Sequence, residues 1–304
     1  MSLLREKLLR RWRSAPPKPA VSEAAPAPLR GSRTERLLAC IDPARGQGLE
    51  LGALTTPVLT AELGAVEYAD HLPTEGLRDK YHHDPNVAID AIVNVTHVMG
   101  ERPLPEVTGR ARYHHVVASH VIEHAPDLIG WLGDIHAVLK PGGVLALAIP
   151  DKRYTFDAMR RTSGLDAMID AHLRRLRKPS PQQAFDHFAH AVHADAARLW
   201  EADGSGVDCP RIHDDAHGLY AARQAQQTYL DCHCWVFTPT SFLASLSRLA
   251  ELDLFHFEVI NFEETHFGEH EFFASLRALH LEEGLDAPAR QARVMAALGR
   301  LMPG

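Results

Sequence analysis

A chain of 304 residues, 45% hydrophobic and 23% charged, has ordinary globular composition, which excludes a disordered, collagen-like or coiled-coil polypeptide. That length is about twice a typical single domain, so one large domain carrying an insertion is expected. A formal net charge of −7 leaves the chain without the basic footprint that binding to nucleic acid requires.

Residues 1–31 stand apart, with seven Lys or Arg against two Glu. Leu4, Leu8 and Trp12 fall at helical spacing among Arg5, Lys7, Arg10, Arg11 and Arg13. The pattern suits either a frayed terminal helix or weak contact with an anionic membrane surface. Ser14 to Pro28 is rich in Pro and Ala and reads as an extended, mobile linker, so the folded unit is expected to begin near Ser32.

Short apolar runs then alternate with helical stretches. Gly48 to Gly52 is a strand ending in a glycine turn, Ala65 to Asp70 a second strand ending in an acid, and His115 to Ser119 a third. A helix over Ala125 to Leu139 is stopped by Lys140-Pro141-Gly142-Gly143. Val144 to Ile149 has the unbroken apolar character of a strand buried on both faces of a parallel sheet. Strand signals vanish between Arg160 and Tyr229, where helical patterns rich in Ala, Arg, Gln and His predict an insert. Thr238-Pro239-Thr240-Ser241 caps a helix through Leu249, and Leu254 to Ile260 with Glu271 to Leu276 reads as a closing strand pair. This is an α/β pattern: a Rossmann-like, mostly parallel sheet with flanking helices and a C-terminal antiparallel pair. The expected division is a cofactor-binding core over 32–159, a helical insert covering an acceptor over 160–237, and completion of the core over 238–304.

Open α/β sheets bind ligands outside the carboxyl ends of their strands, and Glu50, Gly52 and Ala53 occupy that place on the first strand. Asp70 follows twenty residues after Glu50 at the end of the next strand, where a carboxylate accepts both hydroxyls of a ribose. The phosphate-cradling G-x-G-x-x-G is absent, so a nucleoside ligand without phosphates fits better than a pyrophosphate cofactor. Four cysteines, two of them in Cys232-His233-Cys234, do not make a disulfide framework. No apolar run reaches the roughly eighteen residues of a membrane span, and a reducing, cytoplasmic setting is expected. A single residue between two cysteines is poor zinc spacing, and His187, His190 and His193 drift around a helix, so no metal is expected.

Residues 113–151 resemble the fourth strand, fourth helix and fifth strand of class I S-adenosylmethionine-dependent methyltransferases. The carriers are His120-Val121-Ile122-Glu123-His124 after the strand and Leu139-Lys140-Pro141-Gly142-Gly143 before the next. Pro150 to Asp157, His233 and Thr238-Pro239-Thr240-Ser241-Phe242 are similar to a subgroup associated with polysaccharide biosynthesis. The resemblance implies S-adenosylmethionine as cofactor. Glu50, Gly52 and Ala53 would approach its methionine part, Asp70 its ribose and the stretch Asn94 to Met99 its adenine, Asn94 making the edge contact, with Ser119 alongside. The family's further glycines after Gly52 are Ala53 and Leu54 here.

Methyl transfer asks for alignment and, where the acceptor is a hydroxyl, a base. His120 and His124 suit that task and Glu123 would orient one of them; alternatively, the Glu-His pair merely opens the helix. Arg153, with Asp151 and His233, would meet a small-molecule or glycan-type acceptor; a surface ion pair is the plainer alternative for Arg153. O-methylation is expected, against a non-catalytic scaffold of the same fold or a metal-dependent hydrolase. The sequence does not indicate an oligomeric state.

Overall fold

Seven strands, β1 (Gln47–Leu51), β2 (Ala65–Asp70), β3 (His97–Val98), β4 (Tyr113–Ser119), β5 (Leu139–Pro150), β6 (Phe257–Glu263) and β7 (Glu271–Ala278), form one sheet in the order 3-2-1-4-5-7-6. The computed structural model describes residues 31–202, 207–281 and 285–302. The chain divides into two units, Met1–Ser32 and Arg33–Gly304. The expected membrane-contacting helix and linker lie outside the described residues. Among the described residues, no helix is long and apolar enough to cross a membrane.

β1 to β5 pair in parallel. β7 runs antiparallel to both β5 and β6. The chain leaves β1 toward β2 on one side and returns to β4 on the other, so β1 and β4 flank the point where strand order reverses. Side chains alternate about the sheet as the strand period requires. Leu145, Leu147 and Ile149 of β5 enter the larger core with α4 (Leu128–Val138), α9 (Pro239–Glu251) and α10 (Ala287–Leu301). Ala146 and Ala148 face the smaller core, where Leu37 of α1 (Arg33–Leu37), Val58 and Leu59 lie close over small side chains. The remaining helices of the core are α2 (Thr74–Tyr81) and α3 (Leu104–Thr108).

Three expectations need correction. Glu123 and His124 do not open the helix: they form a separate 3-10 turn, Ile122–His124. The helix starts later because Asp127 caps it, accepting from the Gly130 N–H at 2.8 Å. β6 begins at Phe257, not Leu254, because Leu254 belongs to the end of α9. There the Asp253 N–H donates to Ala250 O at 3.0 Å and the Leu254 N–H to Leu249 O at 2.9 Å, with Asp253 left-handed at φ 55°. This is a Schellman close whose apolar residue seals the helix end. The segment Lys140–Gly143 is not a plain turn: it lies inside β5, as a register break between Tyr113 and His115 of β4.

The insert folds as α5 (Leu165–Leu173), α6 (Pro181–His190), α7 (Ala196–Glu201) and α8 (Asp215–Gln227). Ser180 and Gln183 make a capping box at the start of α6. A second Schellman close ends α5, with Arg175 left-handed and the Leu176 N–H on Ala171 O at 3.2 Å. That turn directs Leu176 and Arg177 back toward the sheet.

Candidate active site

A cavity of about 760 Å³ opens at the strand ends beside the β1–β4 reversal. Glu50, Gly52, Ala53, Asp70, Ser119, His120 and His124, all singled out from the sequence, line it. So do Leu77, Met99, Leu104 and Trp131, and the insert adds Leu176, Arg177 and Tyr229.

One wall is made by the turn after β1. Gly52 is left-handed at φ 63°, and a Cβ there would come within 2.9 Å of Val121 Cγ2, so glycine is required twice over. Leu54, standing where the family carries a glycine, is itself left-handed at φ 47°. Its carbonyl accepts from the Val93 N–H at 2.9 Å. The turn thus keeps a glycine conformation without the glycine. Glu50 holds it from below: the buried carboxylate accepts from the Val58 N–H at 2.9 Å and the Leu59 N–H at 2.7 Å. Burial pushes its pKa up to about 7, against those two donors. Asp70 at the end of β2 accepts from the His71 N–H at 2.6 Å and lies 2.5 Å from His71 Nδ1. The His71 ring stacks on Tyr229 at 5.6 Å.

The other wall is made by the chain after β4. His120 is left-handed at φ 54° and its N–H donates to Ala148 O at 3.0 Å, which turns the imidazole into the cavity. Its Nε2 is 2.8 Å from Glu271 Oε2. Arg33 donates to the same carboxylate at 2.6 and 2.7 Å, and to Ser119 Oγ at 2.7 Å. Although burial opposes ionisation, His120 and Arg33 hold the Glu271 pKa down at about 2. His124 lies 2.8 Å from Asp231, which Lys80 also binds at 2.8 Å. Burial alone would lower the His124 pKa, but Asp231 and Glu123 outweigh it and raise it.

Other predicted residues are placed elsewhere. Asn94 is exposed and does not line the cavity; within the stretch expected to face adenine, Met99 does. Asp151 and Arg153 do not reach it, because they bind each other. The Arg153 guanidinium donates to Asp151 at 2.7 Å, and Thr265 Oγ1 fills the same carboxylate at 2.8 Å. Glu123 and His233 are buried behind the wall. His233 Nδ1 is 2.6 Å from Asp157 Oδ2, and Arg160 donates to Asp157 Oδ1 at 2.7 Å. The four cysteines are free thiols, three of them buried.

Sequence reasoning missed Arg33, Glu271 and Asp231 as site residues. Glu271 was visible only as the first residue of a strand, and Asp231 only as the neighbour of Cys232. Nothing local marks either as a partner for a histidine more than a hundred positions away.

A family model described as a methyltransferase domain matches residues 25–246. No curated protein matches the sequence. Solved structures that resemble the chain include the CurJ carbon methyltransferase, at 15% identity over 80% of this chain and 51% of that one with a TM-score of 0.38. Another is the 1,6-didemethyltoxoflavin-N1-methyltransferase of Burkholderia thailandensis with S-adenosylhomocysteine, at 15% identity, 81% and 76% coverage and a TM-score of 0.35. Human N-acetylserotonin methyltransferase with S-adenosylmethionine matches at 12% identity, 81% and 51% coverage and a TM-score of 0.38. The chain spans about half the length of the first and third of these. At such identities and scores the family match, not the individual likenesses, carries the assignment. That match runs through the whole parallel part of the sheet and reaches every strand end bordering the cavity. The chain therefore belongs to the methyltransferase-domain family.

Proposed function

We propose that the protein methylates an oxygen of a small-molecule or glycan-type acceptor, with donor and acceptor sharing the cavity at the β1–β4 reversal. The observation that carries this reading is His120: a left-handed residue that puts an imidazole on the cavity wall, 2.8 Å from a buried carboxylate.

The wall residues fit the donor. The cavity has the size of a nucleoside-plus-amino-acid site. Asp70 stands at the end of β2 for ribose hydroxyls, and Leu77, Met99 and Leu104 give an apolar slot for a base. Glu50 keeps the turn closed, and Gly52 lets the backbone approach. Bound S-adenosylmethionine supplies a methyl group already activated by its sulfonium.

What remains for the chain is to place the acceptor and take up its proton. A neutral amine needs little help as a nucleophile, whereas a hydroxyl needs a base, and an imidazole held by Glu271 is suited to that. Glu271 holds the ring through Nε2, while Nδ1 lies 3.6 Å from Glu123 Oε1. Arg177, Tyr229 and Asp127 give the acceptor side a polar rim, and the insert over 160–237 serves as its cover.

The test is turnover against matched hydroxyl and amine acceptors with the wild type and His120→Ala. We expect hydroxyl turnover to fall about 10²–10⁴-fold with S-adenosylhomocysteine affinity nearly unchanged. Full turnover in His120→Ala, or activity confined to amines, would overturn the reading.

A further inference from the structure

Behind the wall that carries His120, Glu123 is fully buried, and neither carboxylate oxygen has a hydrogen-bond partner. A buried carboxylate without donors costs several kcal/mol and needs an explanation. Its nearest polar neighbours are imidazoles, with His120 Nδ1 at 3.6 Å and His124 Nε2 at 4.0 Å from Oε1. Ligand atoms of Glu123, His124 and His233 lie within 4.8 Å of one another. His233 Nδ1 is 2.6 Å from Asp157, and His124 Nδ1 is 2.8 Å from Asp231 without the alignment of a hydrogen bond. This leaves both Nε2 atoms for another partner. An outer carboxylate on one ring nitrogen, with the other nitrogen available, is how metal-binding histidines are held.

We infer that Glu123, His124 and His233 bind one divalent transition cation of the zinc type, at the edge of the acceptor space. Two imidazoles and one carboxylate are a zinc-type set with an open position, and the nitrogen donors disfavour magnesium or calcium. Bonds of about 2.0–2.2 Å hold two donors no more than about 4.4 Å apart, so the side chains close by at least a few tenths of an ångström on binding. Cys234 is not needed, since its thiol points to the His124 carbonyl at 3.7 Å. His124 lines the cavity, so the ion borders it and its open position is available to an acceptor oxygen, lowering that oxygen's pKa. Only this acceptor role rests on the methyltransferase reading; the ion site itself does not. The site uses neither the cysteine pair nor the three insert histidines, drawing His233 from the Cys-His-Cys run and two ligands from the turn after β4.

The test is calorimetric titration of the full chain, stripped with a chelator, with Zn²⁺ alone and Mg²⁺ as control. Co²⁺ absorption is recorded in parallel, and S-adenosylhomocysteine is titrated into the same samples. We expect one equivalent of Zn²⁺, weakened at least a hundredfold in Glu123→Gln and His233→Ala, with S-adenosylhomocysteine binding retained. If Glu123→Gln melts below the assay temperature, His124→Asn decides. Absence of stoichiometric Zn²⁺ binding by the wild type would overturn the inference, as would binding unchanged in the folded variants. Zn²⁺ binding without S-adenosylhomocysteine binding would strike the donor reading and leave the ion site standing.

Discussion

The two walls of the cavity are built by opposite means. On the donor side, Glu50 is saturated by backbone N–H groups and the decisive features are backbone conformations at Gly52 and Leu54. On the side proposed for the acceptor, the wall rests on side chains that meet across the fold: His120 with Glu271, His124 with Asp231, His233 with Asp157. The first wall is a property of a short segment and tolerates exchange of the residues that the family's glycines occupy. The second depends on ionisable partners from β4, β7, the insert and the segment after it, so single changes there carry large costs.

The largest effect on stability should come from Asp157→Ala. It leaves Arg160 and His233 buried without their shared carboxylate, whose pKa they hold down at about 2 although burial alone would raise it. Asp186 still binds Arg160 at 2.7 Å, so the loss is a part of the about 3–5 kcal/mol that a fully uncompensated buried charge costs. Denaturant melting showing less than about 1 kcal/mol would mean that the acceptor wall is not the interdependent network described.

Acidity distinguishes the donor-side carboxylate from a half-buried imidazole of the supporting core. Glu50 has a folded pKa raised to about 7, mainly by burial. Its favourable contribution is complete below the unfolded value of 4.5 and is lost as pH rises through 7. His136 of α4, stacked on His280, is lowered to about 4, by burial first and then by the neighbouring His280, His256 and Arg290. Its contribution is complete above 6.5 and is lost as pH falls toward 4. Melting curves of Glu50→Gln and His136→Gln should therefore depart from wild type in opposite pH directions, each on the order of 1–3 kcal/mol. Parallel shifts would contradict the assigned burial of one of the two.

The smallest effect tests the turn after β1. Because Leu54 is left-handed, Leu54→Gly should be more stable than Leu54→Ala by about 1 kcal/mol, the reverse of the order found in ordinary backbone. Equal stabilities would show that the turn relaxes when the side chain is removed.

These differences also explain what could be read from the sequence. Strand positions followed from apolar runs, and β2 from Ala65 to Asp70 was placed to the residue because an acid ends it and glycine precedes it. The start of β6 was misread because Leu254 looks like a strand residue while sealing a helix. The donor wall was legible where a motif is local, as at Gly52 and Asp70, and failed at Asn94, where only a stretch had been indicated. The acceptor wall was half legible. His120 and His124 announce themselves after a strand, but their partners Glu271 and Asp231 lie in segments that carry no signal of their own. Arg153 was drawn to its own neighbour Asp151, a contact that two-residue spacing allows but does not announce.

The division of labour between the walls is tested most directly by one calorimetric titration of S-adenosylhomocysteine into wild type, Asp70→Ala and His120→Ala. Asp70→Ala should lose about 1.5–3 kcal/mol, or ten- to a hundredfold in affinity, through its lost hydrogen bonds to the ribose. His120→Ala should bind within about twofold of wild type, since its side chain serves the acceptor side. Unchanged affinity in Asp70→Ala, or an equal loss in both variants, would contradict the account.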